Sequence, residues 1–94
     1  MSRSKLEQIR DCVRHRRYDM SAHAMEEMAE DLLDIIDVEK AVLSGRIQRA
    51  GKDDPRGVRF VIQGVAADQQ TKVGVVGRFV ESRRFLIITV YVVS

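Results

Sequence analysis

The stretch that decides the fold is F-L-I-I-T-V-Y-V-V, Phe85 to Val93. Apolar and β-branched residues dominate it, and it holds neither glycine nor proline. That composition reads as a strand, and a central one. Side chains alternate across a strand, so a residue and its second neighbour share a face. Leu86, Ile88, Val90 and Val92 then form one aliphatic face, the expected core. Phe85, Ile87, Thr89, Tyr91 and Val93 form the other. Thr89 and Tyr91 place two hydroxyls on that second face, which marks it as the side open to chemistry.

Working backwards, residues 46–84 also alternate. Arg46 to Gly51 reads as a short strand. Lys52 to Gly57 is a turn in which Pro55 and Gly57 supply special dihedrals. Gly57 to Gly64 is a second strand, with Val58, Phe60 and Ile62 on one face and Arg59, Val61 and Gln63 on the other. Thr71 to Val80 is a third. Val73, Val75 and Phe79 lie on one of its faces, Lys72, Val76 and Arg78 on the other. Gly74 and Gly77 mark a bulge or a close approach of a ligand. Short links between strands imply an antiparallel meander.

The first 45 residues follow a helical period instead. Arg3 to Arg17 reads as a helix with Leu6, Ile9, Cys12 and Val13 inward and a basic outer face. Tyr18, Asp19 and Met20 break the pattern. Ser21 is the expected N-cap of a second helix, Ala22 to Asp31, whose stripe is Met25, Met28, Ala29 and Leu32. Asp34 caps a third, with Asp37 completing an Asp-based capping box. Ile35, Val38, Ala41 and Val42 face inward, and Gly45 is the expected stop. The fold class is therefore α+β in a single domain, residues 1–94. N-terminal helices (1–45) cover one face of a C-terminal antiparallel sheet of about four strands (46–94).

Composition bounds the function. A single cysteine, Cys12, leaves no disulfide within the chain, and with two histidines a structural metal is not expected. No apolar run approaches the roughly 20 residues of a membrane span. The start lacks a signal-peptide core, so a cytoplasmic protein is expected. The net charge of +2 conceals segregation: residues 19–45 hold one base against eight acids, and residues 46–94 hold nine bases against four. A basic sheet half suits an anionic ligand; scattered charge on solvated faces is the alternative.

Phosphate loops, metal-ligand clusters and nucleophile elbows are missing from the sequence. Strand parity instead groups Arg59, Gln63, Lys72, Arg78, Thr89 and Tyr91 on the open face, with Arg46 at its start. Arginine matches phosphate through paired donors, and tyrosine stacks on a base or moves a proton. Histidine is the usual acid or base near neutrality. His23 lies in the first turn of the second helix, where the helix dipole favours a neutral imidazole. The competing reading of His23 is a partly buried residue bonded to Ser21 or Tyr18. The inventory suits metal-free RNA cleavage and equally a non-catalytic RNA-binding face. A small dimer using Val61, Val76 and Ile87 is a third possibility.

The run Y-D-M-S-x-H-A-x-x-x-M (Tyr18 to Met28), then D-V-E-x-A-V-x-x-G (Asp37 to Gly45), resembles the DUF4258 family. The closing I-T-V-Y (Ile88 to Tyr91) continues the resemblance. That family looks like a branch of the RelE/BrnT/MqsR-like toxin superfamily, with a RelE/barnase-like fold. The resemblance implies an endoribonuclease that cuts mRNA, the toxin of a type II toxin–antitoxin pair, with a cognate antitoxin of the zinc-finger MqsA type. It makes His23, Thr89 and Tyr91 the best positions. The expected catalytic set is then His23, Tyr91, Arg78 and Arg59. Thr89, Lys72, Gln63 and Arg46 bind RNA, and neither metal nor other cofactor is expected.

Overall fold

The computed structural model describes residues 3–51 and 55–93, and of Ser82 only the backbone. The elements run α1 (Lys5–Arg14), β1 (Tyr18–Met20), α2 (Ala22–Glu30), α3 (Ile35–Ser44), β2 (Arg46–Gly51), β3 (Arg59–Val65), β4 (Lys72–Val80), a 3-10 turn (Glu81–Arg83) and β5 (Arg84–Val92). The expected turn at Lys52–Gly57 lies partly outside the described residues. Among them no helix is long and apolar enough to cross a membrane.

The architecture is α+β, as the change of period implied. Five strands take the order β1-β5-β4-β3-β2. β2 to β5 form the expected antiparallel meander. The additional strand is β1, three residues that pair parallel to β5 through Tyr18↔Phe85, Asp19↔Leu86 and Met20↔Ile87. The sheet is therefore mixed, and Tyr18 to Met20 are part of it rather than a simple break between helices.

Helix ends follow local chemistry. The Ser4 side chain accepts from Glu7 N–H and starts α1. Ser21 caps α2 by accepting from Ala24 N–H at 3.1 Å. Asp34 and Asp37 exchange side-chain and backbone bonds in a full capping box. The last turn of α2 closes differently. Leu33 N–H donates to Met28 O and Leu32 N–H to Ala29 O, the paired bonds of a Schellman motif. That motif puts Leu32 at φ 57° with 91% of its surface exposed. A leucine there has the Cβ clash that glycine avoids. Leu32→Gly is expected to raise stability by about 1 kcal/mol, read as a higher urea midpoint at unchanged slope.

One core lies between helices and sheet. Ile9, Cys12 and Val13 of α1, Ala24 of α2, and Val38, Ala41 and Val42 of α3 meet Phe60, Ile62, Val73, Val75, Phe85, Ile87 and Val90 of the sheet. Two helical stripes are narrower than expected. In α2 the buried residue is Ala24, while Met25 and Leu32 are exposed. In α3 Ile35 is also partly exposed, at 38%. Gly45 has an extended backbone with φ −87°, so it is not a left-handed stop. Its role is close packing, since a Cβ there would strike Ala41 O and Gln63 O.

The parity of β5 corrects the sequence reading. Val76 pairs with Thr89, but the next residue, Gly77, pairs with Ile87. Ile88 is thus the extra residue of a bulge, which reverses the alternation around it. Phe85, Ile87 and Val90 are fully buried, and Leu86 and Ile88 are only half-buried. The core face of β5 is Phe85, Ile87 and Val90, not Leu86, Ile88, Val90 and Val92. Burial of Ile87 also removes it from any exposed dimer surface. Ser21 holds the bulge from outside: its N–H donates to Ile87 O at 2.9 Å and its hydroxyl to Ile88 O at 3.0 Å.

Candidate nucleic-acid interface

Downstream of the bulge the alternation resumes, so Thr89 and Tyr91 stay on the face away from the helices. The cross-strand register fixes their neighbours. Arg59 lies opposite Arg78, Val61 opposite Val76, Gln63 opposite Gly74 and Val65 opposite Lys72. On β5, Tyr91 lies opposite Gly74, Thr89 opposite Val76 and Leu86 opposite Arg78. On β2, Arg46 lies opposite Gln63 and Arg49 opposite Val61. The face therefore carries Arg46, Arg49, Arg59, Lys72, Arg78 and Arg84, and Asp19 is the acid among its described residues. Asp19 is committed: Arg84 donates to both its oxygens at 2.9 and 3.1 Å. Those bonds hold the Asp19 carboxyl below its ordinary range.

The sequence grouping of Arg59, Gln63, Lys72, Arg78, Thr89, Tyr91 and Arg46 thus shares one face. Arg59 and Arg78 are direct cross-strand neighbours, an arrangement that like charges disfavour unless an anion or a third group joins them. The Arg78 Nε–H is buried without a hydrogen-bond partner. Arg49 and Arg84 were not singled out by sequence. The bulge at Gln48 in β2 hid the parity of Arg49, and Arg84 precedes the expected start of the last strand at Phe85.

At the other end of the face, the Tyr91 ring lies across β4. Gln63 Nε2 donates to its phenolic oxygen at 3.1 Å. Only a residue without a side chain lets the ring cross, because a Cβ at Gly74 would collide with it. This gives Gly74 the close-approach role that its position suggested, with Tyr91 as the approaching group. Gly74→Ala is expected to push the ring off the strand, break the Gln63 bond and cost about 1–3 kcal/mol. Adding Tyr91→Ala should recover most of that loss in a denaturation double-mutant cycle. A shallow cavity of about 180 Å³ lies beside this bond, between Gln48, Gln63 and Lys72.

His23 occupies a different position. Its side chain is 64% exposed, and its Nε2 lies 3.3 Å from Glu27 Oε1. The bond to Ser21 or Tyr18 is not formed. Ser21 serves the bulge, and the Tyr18 hydroxyl donates to Glu39 at 2.6 Å. That bond and burial raise the Tyr18 phenol well above its ordinary value, burial first. The same Glu27 oxygen accepts from Val90 N–H at 3.1 Å. α2 thus lies along the β5 edge that β1 leaves uncovered, and Glu27 satisfies its strand N–H. His23 is joined through Glu27 to the backbone between Thr89 and Tyr91, and it makes no hydrogen bond to the basic face. Glu27 lies off the expected α2 stripe of Met25, Met28, Ala29 and Leu32. The signal that could have found it is the H-x-x-x-E spacing, one helical turn.

The S-x-H-A element is now legible in physical terms. Ser21 caps a helix and clamps a bulge, and Ala24 is fully buried. His23 is left facing solvent beside a carboxylate. Among the described residues no group of three His, Cys, Asp or Glu side chains is placed to hold a metal ion.

Residues 20–92 match the profile of the domain of unknown function DUF4258. The chain belongs to that family. Comparison with curated proteins and with solved structures returned no match. The DUF4258 match spans the bulge clamp, the basic face and β5 together, and leaves the whole of α1 outside it.

Proposed function

We propose that this DUF4258 domain is a metal-independent endoribonuclease that takes single-stranded RNA across the open face of its sheet. The observation that carries the reading is that face itself. Six basic side chains and the Gln63–Tyr91 pair lie on one side of the sheet, and its acid is already paired. A phosphate placed beside Arg78 would give its Nε–H an acceptor. Tyr91 accepts from Gln63, so its own proton remains available for a leaving oxygen or its ring for a base. Thr89 and Lys72 extend the phosphate track, and Arg46 continues it beside Gln63.

The chemistry needs no cofactor. The 2′-oxygen attacks the adjacent phosphorus and its proton passes to a base. The P–O5′ bond breaks and the 5′-oxygen takes a proton from an acid. The products are a 2′,3′-cyclic phosphate and a 5′-hydroxyl. His23 is the base or acid, Tyr91 the second proton donor, and the arginines stabilise the added negative charge of the transition state.

A RelE/barnase-like fold and a place in the RelE/BrnT/MqsR-like superfamily belong to the same proposal. The helices on one sheet face, the S-x-H-A element and the terminal I-T-V-Y support them. So does a role as the toxin of a bacterial, cytoplasmic toxin–antitoxin pair acting on mRNA. The acidic α2–α3 corner, with Met25, Leu32, Ile35 and Ile36 exposed, is the surface for a basic antitoxin, one of the zinc-finger MqsA type in this reading.

The test is cleavage of end-labelled single-stranded RNA in EDTA, with and without ribosomes. Cleavage leaving a cyclic phosphate, reduced about 100-fold by Tyr91→Phe, is the expected result. A second reading is a non-catalytic RNA-binding module, favoured by the bonding of His23 to Glu27 rather than to the basic face. RNA binding lost in Arg59→Gln and Arg78→Gln, with no cleavage under either condition, would establish that reading instead.

A further inference from the structure

A second basic site lies on the helix side of the sheet, between α1 and the 3-10 turn that leads into β5. It is a pocket of about 540 Å³ whose walls include Arg3, Lys5, Gln8, Arg17, Phe79 and Arg83. That volume suits one nucleotide-sized ligand. Among the described residues no carboxylate lines it. Arg3 is shared with Asp11, and Lys5 Nζ stands 5.8 Å from the centroid of the Phe79 ring. Arg17 and Arg83 have no ion-pair partner among the described residues.

Both arginines stand on fixed backbone. Arg17 N–H donates to Cys12 O at 2.7 Å, and Arg17 O accepts from Phe85 N–H at 3.1 Å. Arg83 O accepts from the buried Cys12 thiol at 3.4 Å. The backbone of both arginines is therefore anchored beside one cavity, and their exposed side chains are free to reach a ligand there. Phe79 sits edge-on to Phe60 and Phe85, which fixes its ring as part of the wall. The pocket is separate from the Tyr91 region: Phe79 lies five residues beyond Gly74 along β4, about 16 Å at the rise of a strand.

We infer that this pocket binds a nucleotide-sized phosphate ester. Arg17 and Arg83 take the phosphate oxygens, Lys5 adds a third charge, and the ring of Phe79 with Val80 receives the apolar side of the sugar or base. The ligand is a free nucleoside monophosphate or the 5′-phosphate end of an RNA strand.

Calorimetric titration at low salt with adenosine monophosphate, then with 5′-phosphorylated and 5′-hydroxyl tetranucleotides, tests this. The expected result is saturable binding of the monophosphate, or of the phosphorylated oligonucleotide over its hydroxyl counterpart. The first assigns a free nucleotide, and the second an RNA end. Arg17→Gln and Arg83→Gln should each weaken monophosphate binding, or the preference for the phosphorylated end, about tenfold, while Lys72→Gln on the open face does not change that preference. Lys5→Gln, on an exposed side chain, supplies a further variant should either arginine change impair folding. No binding of any probe up to about 10 mM, or a preference abolished by Lys72→Gln and untouched by the pocket variants, overturns the inference. RNA cleavage is not the readout, so the pocket stands or falls apart from the catalytic proposal.

Discussion

Ile87→Ala is expected to destabilise the domain by about 3–5 kcal/mol, and Ile88→Ala by much less, about 1 kcal/mol. The two residues are adjacent and chemically identical, so only their place in the sheet separates them. Ile87 is fully buried and lies opposite Gly77, within the cluster that joins all three helices to the sheet. Truncating it removes apolar contacts and leaves a cavity that a packed sheet closes poorly. Ile88 is the unpaired residue of the bulge and remains half-buried. Its main tie is through its backbone carbonyl to the Ser21 hydroxyl, which alanine keeps. Urea denaturation of both variants, with the slope checked against the parent, separates the outcomes. Equal losses, or the larger loss at Ile88, would mean that the strand has the parity of simple alternation.

That contrast shows why β5 was only half legible. A run of nine residues in which eight are aliphatic or aromatic carries no polar mark before Thr89 to reveal a skipped position. Either isoleucine satisfies the core pattern, and the choice is made by Ser21, which lies 67 positions away from Ile88 in the chain. The open face was easier to read, because charges alternate along β3 and β4 and desolvating them is unfavourable on the packed side. Arg59, Gln63, Lys72 and Arg78 therefore reveal the parity of their strands, and Thr89 and Tyr91 do so beyond the bulge. Caps at Ser21 and Asp34 were legible because they depend on residues three positions away. The α2 stripe was not. A helix along a strand edge needs small Ala24 for contact and a Glu27 acceptor for Val90 N–H, and neither requirement is visible without knowing where the edge lies. β1 escaped for a related reason: three residues show no period, and its pairing partner is 67 residues away.

Under the proposed ribonuclease reading, the largest expected effect on activity belongs to His23→Ala: about 100- to 10,000-fold less RNA cleavage with an unchanged unfolding midpoint. The stability half follows from exposure. The imidazole is 64% exposed and contributes no core contact, so its removal leaves helix and sheet as they are. The activity half follows from Glu27. A carboxylate 3.3 Å from Nε2 favours a proton on that nitrogen, which leaves Nδ1 as the acceptor for a substrate hydroxyl. Glu27 is itself fixed by Val90 N–H, so the imidazole is aimed by the strand that carries Thr89 and Tyr91. Glu27→Gln keeps an oxygen for Val90 and loses the charge, so a smaller activity loss, about tenfold, is expected without unfolding. A further readout distinguishes proton transfer from binding. The affinity for uncleaved RNA should stay within about twofold in His23→Ala, because phosphate contacts sit on the arginines rather than the imidazole. If His23→Ala cleaves as fast as the parent, the proton must leave through the open face itself. Tyr91, the proton-bearing group already hydrogen-bonded there to Gln63, then becomes the residue on which cleavage depends.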